Sequence, residues 1–285
     1  MTLIRIGGVP EHFNWPWHLT LGEGAARAAG VDAEWQEFPD GSGAMAQALR
    51  EQRLDAAMLL TEGAVAGIAA GGGFKIVSVY TESPLIWGIH VPASSRLRAV
   101  ADLTGARYAI SRRGSGSHLM AFVHARERGW PLDRLELVVV RDLKGAIDAF
   151  AQGSADVFFW EKFMTKPLVD DGRFRRVADF AAPWPAFVVC AADAALARHG
   201  AALRALLAAV LARAATFAAS ADAAAQIAAR YGLQPRDAAE WLAGTRWSTR
   251  VGVEPRAIAP VIDALRAAGL VDAAFTADRA IAPLP

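Results

Sequence analysis

The stretch Ala101–His118, ADLTGARYAISRRGSGSH, decides the fold. Within it a short strand-like run, RYAI, leads into a turn of glycine and hydroxyl residues, and a helical pattern follows. Small residues at a strand-to-helix turn let a ligand approach the backbone amides. The stretch therefore predicts one strand–turn–helix unit of an α/β fold, with a candidate binding loop at the turn.

Strand-like runs and helical patterns alternate on both sides of this unit. The runs LIRIG, AEWQEF, DAAMLL and FKIVSVY precede it, and ELVVV and DVFFW follow it. Such alternation predicts βαβ units and mainly parallel sheets. From Asp193 onward the chain is alanine-rich, which predicts a helical C-terminal tail.

The two series share a pattern, which predicts an internal repeat with a period of about one hundred residues. GAMAQALREQRLDAAMLL and GAIDAFAQGSADVFFW each run from a glycine through a helix and a break to an aspartate before a strand, Asp55 or Asp156. The chain crosses between the series twice, at PLIWGIHVP and at APWPAFVVC. We expect one lobe of residues 1–88 plus 188–285, a second of residues 92–183, two hinge crossings and a ligand cleft between the lobes.

Composition narrows the function classes. A chain of 285 residues with 54% hydrophobic and 21% charged residues can bury a large core. Because the chain has 30 basic and 29 acidic residues, its net charge is only +1, and we expect no nucleic-acid partner. The apolar stretch AALRALLAAVLARAATFAASA carries Arg204 and Arg213, which favours an amphipathic helix over membrane insertion. No signal-peptide pattern begins the chain, which predicts a cytoplasmic location as written, or a periplasmic one if the natural protein has a leader.

The opening loop fits neither a nucleotide site nor a hydrolase site. Gly114 and Gly116 lack the third glycine of G-x-G-x-x-G, no Gly-Lys-Ser/Thr is present, and Ser115 lacks the spacing of G-x-S-x-G. The residues predict an anion nest instead, in which amides and the Ser115 and Ser117 hydroxyls hold a carboxylate, sulfonate or phosphate at a helix N-terminus. The alternative is that one of these serines only caps the helix.

These motifs together resemble a known family. A strand, a proline-rich aromatic loop and a helix are followed by GSGAMAQAL, by L-D-A-A before a strand, and by DLTGARYAISRRGSGSH. This order is similar to substrate-binding proteins of ABC importers, nearest to the alkanesulfonate, taurine and thiamine-pyrimidine group. The resemblance implies a two-lobed type II periplasmic-binding-protein fold, capture of a small anionic or heteroaromatic ligand by lobe closure, and an ABC permease as partner.

Two other functions stay open. Fungal thiamine-pyrimidine synthases share the fold, and as a family they use a cysteine-rich iron motif and a lysine-bound pyridoxal phosphate. This chain has one cysteine, Cys190, in an apolar run, so it lacks the iron motif, although Lys162 and Lys166 follow a strand. A ligand-sensing cytoplasmic protein is the other alternative. The sequence favours a binding protein without catalytic residues, metal or cofactor over an enzyme.

The repeat pairs the loop PEHFNWPW with SRRGSGSH, and loops after other strands add further candidates. Trp15 is expected to stack on a flat ligand while Trp17 packs in the core. The alternatives are a plain turn for Ser42 and Gly43, and solvated side chains for the acids and for Arg112. His124, six residues after His118, is expected at the surface. The candidate ligand-binding residues are His12, Asn14, Trp15, Ser42, Gly43, Thr61, Glu62, Arg112, Ser115, Gly116, Ser117, His118, Trp160 and Glu161.

Overall fold

The computed structural model describes residues 3–285, which form ten strands and twelve α-helices. The strands are β1 Leu3–Gly8, β2 Asp32–Glu37, β3 Ala56–Leu60, β4 Phe74–Thr81, β5 Ile86–Pro92, β6 Arg107–Ile110, β7 Glu136–Val139, β8 Val157–Glu161, β9 Phe174–Ala181 and β10 Phe187–Ala192. The helices are α1 Trp15–Gly22, α2 Ala25–Ala28, α3 Ser42–Arg50, α4 Thr61–Ala69, α5 Gly116–Glu127, α6 Leu143–Ala151, α7 Lys166–Asp170, α8 Asp193–Ala218, α9 Ala223–Tyr231, α10 Pro235–Gly244, α11 Pro255–Ala267 and α12 Ala277–Ala280.

The chain divides into two compact units. Unit 1 comprises the described residues up to Pro84, together with Trp184–Asp263 and Val271–Pro285, and unit 2 comprises Leu85–Pro183 and Ala264–Leu270. Residues 85–88, which the sequence pattern assigned to the first lobe, group with unit 2. They do so because β5 begins there and pairs with strands of unit 2.

Each unit contains one five-stranded sheet, and the two sheets have equivalent strand orders. The order is β2-β1-β3-β10-β4 in unit 1 and β7-β6-β8-β5-β9 in unit 2. In each sheet the fourth strand is antiparallel to both of its neighbours, so the other four strands run in one direction. The predicted α/β architecture with mainly parallel sheets is confirmed, and the one reversed strand is the one that arrives from the other unit.

The internal repeat extends to individual ion pairs. Arg5 donates to Asp55 through its backbone amide at 2.8 Å and through Nε at 2.9 Å. Arg107 donates to Asp156 in the same way, at 3.0 Å and 2.8 Å. Each pair joins the first half of the second strand of its sheet, β1 or β6, to the residue just before the third strand, β3 or β8. The repeat predicted from Asp55 and Asp156 is therefore present in three dimensions.

Helix periodicity places one face of each repeated helix against its sheet. In α3 the buried apolar residues are Met45, Ala46, Ala48 and Leu49, and in α6 they are Ala146, Ala149 and Phe150. Spacings of three and four residues bring such side chains onto one stripe of a helix. The buried stripe therefore explains why both repeated helices carry small and apolar residues at these spacings.

Helix α8 is the longest in the described chain. By length and composition its 26 residues could cross a membrane, since an 18-residue window has a mean hydropathy of 1.6. Its buried residues include Leu203, Leu207, Val210 and Leu211, which share one face, and α8 packs on α1, α2 and β10 of unit 1. Core helices of globular proteins have this same pattern of burial.

Candidate ligand-binding site

The loop between β6 and α5 is built around a capped helix start. Gly114 has a φ of +78°, in the left-handed region that favours glycine, and Ser115 takes extended backbone angles as the N-cap. Ser115 Oγ accepts from the His118 amide at 3.3 Å, and His118 Nδ1 accepts from the Gly114 amide at 2.9 Å. Ser115 therefore caps the start of α5.

Capping does not use all the donors of this loop. The hydroxyls of Ser111, Ser115 and Ser117 form a chain, with Oγ–Oγ distances of 3.4 Å from Ser111 to Ser117 and 3.1 Å from Ser115 to Ser117. Three hydroxyl protons serve two such contacts, so one remains to be donated elsewhere. Among the hydrogen bonds of the described residues, the first two amides of α5, those of Gly116 and Ser117, have no acceptor.

We call Ser111, Ser115, Gly116 and Ser117 the serine loop. Its three serines are buried, with at most 8% of each exposed, so water competes weakly for these donors. Ser111 was not among the predicted site residues. Its signal in the sequence is its position, because it directly follows the last residue of β6.

Charged residues next to the serine loop lie toward solvent. Arg112 is exposed to solvent. His118 is half-buried, and burial together with Arg113 lowers the pKa of its imidazole. At neutral pH the loop therefore presents hydroxyl and amide donors rather than a buried full charge.

The equivalent loop of unit 1 follows β1 and presents different chemistry. His12 lies against Phe13, Tyr231 and Trp241, and burial lowers its pKa to about 3, which keeps the ring neutral. Trp17 is fully buried, as predicted. Trp15 is half-buried, and its Nε1 donates to Gln226 Oε1 at 3.0 Å.

Asn14 in this loop has an unused acceptor, and Trp17 Nε1 has no acceptor among the described residues. Its Nδ2 donates to the Val9 carbonyl at 2.8 Å, and the side chain is fully buried. Oδ1 has no donor among the described residues. The end of β1 thus offers one buried hydrogen-bond acceptor.

Four of the predicted residues lie at the end of β3 and at the helix starts next to it. Ser42 Oγ accepts from the Leu60 amide at 3.1 Å, which ties the start of α3 to β3. Thr61 Oγ1 donates to the Pro185 carbonyl at 2.5 Å. Glu62 lies in the first turn of α4, and its Oε2 accepts from Trp184 Nε1 at 2.9 Å. Gly43 is the second residue of α3, so its backbone belongs to the same helix start.

Glu62 has an unusual environment for a carboxyl group. It is only 2% exposed, and burial raises its pKa to about 7. Within the described residues, Oε1 has no hydrogen-bond partner. Sequence reasoning placed Trp184 at a hinge crossing and did not connect it to Glu62, because the two residues are 122 positions apart.

The predicted pair at the end of β8 serves the protein's own structure. Trp160 is stacked on Phe158, with ring centroids 5.0 Å apart, and packs against the core of unit 2. Glu161 Oε2 accepts from the amides of Phe163 and Met164 at 2.8 and 2.6 Å. The Glu161 carboxylate therefore holds the turn after β8.

The two lysines and the cysteine considered for enzyme chemistry are ion-paired or buried. The Lys162 ammonium pairs with Asp179 at 3.0 Å, and the Lys166 ammonium pairs with Asp170. Cys190 is buried within β10, and burial raises the pKa of its thiol. Among residues 3–285, the His, Cys, Asp and Glu side chains form no cluster suited to a metal ion.

One expectation about a histidine is wrong. His124 is fully buried instead of lying at the surface, with its ring against Trp130, Phe159 and Phe180. Burial, helped by Arg128, lowers its pKa to about 4. Two of these aromatic neighbours come from β8 and β9, so the pattern of α5 alone could not reveal them.

Comparisons with known proteins agree on the fold. The profile of the Ca3427-like family of periplasmic binding proteins matches residues 87–180. The CA3427 gene product of Candida albicans, a protein with the generic periplasmic-binding-protein fold, aligns at a TM-score of 0.90 and 24% identity, over 99% of this chain and 96% of that one. No curated protein sequence matches the chain.

Two solved sulfonate-binding proteins are also similar. SsuA from Xanthomonas axonopodis pv. citri, an alkanesulfonate-binding protein bound to MOPS, aligns at a TM-score of 0.82 and 20% identity, over 99% of each chain. The aliphatic sulphonate-binding SsuA of Escherichia coli aligns at 0.79 and 22% identity, over 99% of this chain and 92% of that one. The predicted resemblance is confirmed at the level of the fold, which is the type II periplasmic-binding-protein fold.

Proposed function

We propose that this chain is a solute-binding protein that holds the anionic group of a small organic ligand at the serine loop. The observation that carries this proposal is the set of unused donors there, namely the amides of Gly116 and Ser117 and one surplus hydroxyl proton. Open amides at a helix N-terminus favour an anion, and α5 is 12 residues long.

The fold supports the same assignment. SsuA of Xanthomonas, which has this fold, is bound to MOPS, a sulfonate. In our proposal the two units close over the ligand, and the protein delivers it to the permease of an ABC importer. Closure would follow from contacts that form only when both units engage the ligand.

Calorimetry with a panel of alkanesulfonates, carboxylates and phosphonates tests the proposal. Ser117→Ala removes a hydroxyl from the chain of three, and a hydrogen bond to a charged group contributes about 1.5–3 kcal/mol. We therefore expect affinity for the anion to fall about 10- to 100-fold. Ser154→Ala is the matched control. Ser154 lies before the start of β8, away from the serine loop, and its Oγ donates to the Ala149 carbonyl of α6.

Two results would count against the proposal. If no member of the panel binds at millimolar concentration, anion capture is wrong. If ligands bind but Ser117→Ala and Ser154→Ala have equal affinity, the anion is held elsewhere.

A further inference from the structure

The loop after β7 contains a residue with a strained backbone, Arg141. Its φ is +72°, in the left-handed region, and across it the Asp142 amide donates to the Val140 carbonyl at 3.0 Å. A hydrogen bond between residues two apart around such a φ defines a classic γ-turn, which is rare because it is strained. An arginine at its centre therefore costs free energy that a glycine would avoid.

The strain at Arg141 is not that of an ordinary helix end. Among the described residues, the other non-glycine residue with a positive φ is Gln52, at +55°. Gln52 lies just after α3, where helices commonly end in a left-handed residue, and the corresponding residue after α6 is Gly153. Arg141 instead lies between the end of β7 and the start of α6, so helix termination does not explain it.

The repeat shows how unit 1 makes the equivalent connection. After β2, the Phe38 amide donates to the Gly8 carbonyl at 2.8 Å. After β7, the Val140 amide donates to the Ile110 carbonyl at the same distance. In unit 1 the left-handed residue before the next helix is a glycine, Gly41, with a φ of +75°. Unit 2 therefore keeps an arginine side chain where its counterpart has none.

The γ-turn holds Arg141 beside the serine loop. The Arg141 amide donates to the Ser111 carbonyl at 3.1 Å, so its backbone is hydrogen-bonded directly to a member of that loop. Its side chain is exposed, and it forms no ion pair or hydrogen bond with the described residues. Asp142, the next residue, caps α6 by accepting from the Gly145 amide at 2.7 Å. One arginine next to the serine loop is therefore not neutralised by any described carboxylate.

We infer that Arg141 is a ligand-binding residue, whose guanidinium pairs with the anionic group held at the serine loop. This inference rests on the proposed function and adds to it a residue outside the set predicted from the sequence. The serine loop supplies hydroxyl and amide donors without a full charge. A guanidinium adds the charge and two parallel N–H groups for two oxygens of one anion. Strained backbone is concentrated at ligand sites, where function requires a side chain in one place.

Calorimetry of Arg141→Gly with ethanesulfonate, propionate and methylphosphonate tests the inference. Glycine removes the guanidinium and relieves the left-handed strain in one change. We therefore expect the melting temperature to rise, while affinity for the anions that bind the wild-type protein falls about tenfold or more through loss of a charge-assisted hydrogen bond. Arg141→Lys keeps the charge without the planar pair of donors, so its affinity should lie between those of Arg141→Gly and the wild type.

Gln52→Gly is the matched control, because it relieves a left-handed residue in unit 1. It should also raise the melting temperature and leave affinity at the wild-type value. If Arg141→Gly binds as the wild type does while Ser117→Ala binds more weakly, the inference is wrong and the proposed function stands. A loss of affinity with a lower melting temperature would also overturn the inference, because a structural residue behaves in that way. Failure of all three anions to bind the wild-type protein would remove the inference together with the proposed function.

Discussion

Trp184 Nε1 donates to Glu62 Oε2 at 2.9 Å, and both side chains are buried. Trp184 is the first residue of the chain's return to unit 1, directly after Pro183. The carboxylate after β3 is thus held by the residue at a unit boundary, 122 positions away. Substitutions at this boundary should therefore alter the position of the Glu62 carboxylate in the candidate site.

Replacing Trp184 with phenylalanine should destabilise unit 1. The change removes the indole donor to Glu62 Oε2, and leaving a buried acceptor unsatisfied costs about 1–3 kcal/mol. Trp87→Phe is the control, because the Trp87 indole is also buried and its Nε1 has no partner among the described residues. Urea denaturation should show a larger loss for Trp184→Phe, and equal losses would contradict a role for the hydrogen bond.

The pKa of Glu62 predicts a pH-dependent effect of Glu62→Gln. Burial raises this pKa from 4.5 to about 7, so the folded protein keeps the proton that the unfolded chain releases. The stability contributed by the protonated group is complete below pH 4.5 and is lost as the pH rises through 7. Denaturation at a series of pH values should show Glu62→Gln gaining up to about 3 kcal/mol relative to wild type by pH 8. Parallel stability curves would contradict the raised pKa.

His124 predicts acid sensitivity of the opposite sign. Burial lowers its pKa from 6.5 to about 4, so the unfolded chain binds a proton that the folded protein excludes. Stability is therefore complete above pH 6.5 and is lost as the pH falls through 4. His124→Phe keeps a ring against the aromatic neighbours and should reduce the acid-induced loss by about 3 kcal/mol. His12 and His90 also have lowered pKa values, so part of the acid sensitivity should remain. Melting temperatures between pH 4 and 7 provide the measurement, and an unchanged slope would contradict the prediction.

The two repeated ion pairs should contribute unequally to stability. The side chain of Asp55 is 6% exposed and that of Asp156 is 32% exposed. Arg5→Met leaves a buried carboxylate without its guanidinium and should cost about 2 kcal/mol. Arg107→Met leaves a carboxylate that water can reach, so its cost should be smaller. Chemical denaturation of both variants checks this ranking, and equal losses would show that burial does not decide it.

Local patterns in the sequence predict much of the fold. The spacing of Ala146, Ala149 and Phe150 indicates the buried face of α6. The positions of Asp55 and Asp156 predict the repeat without their partner arginines. Such features depend on residues close in sequence, or on one motif that occurs twice. They could therefore be predicted from composition and period alone.

Contacts between distant segments could not be predicted in this way. His124 lies six residues after His118, but which face of α5 is buried depends on Phe159 and Phe180 from other elements. The bond from Trp184 to Glu62 likewise has no local signature. For the serine loop, the sequence predicted Ser115, Gly116 and Ser117 but not Ser111, and it could not show whether capping would exhaust the hydroxyl donors.

The strand order of unit 1 has a consequence for biosynthesis. Strand β4 is joined to the rest of its sheet only through β10, whose residues emerge from the ribosome after all of Leu85–Pro183. The first 84 residues therefore cannot complete their sheet when they are made, although vectorial synthesis usually favours the N-terminal domain. The middle of the chain contains all five strands of its own sheet, so the nascent protein can complete that sheet first.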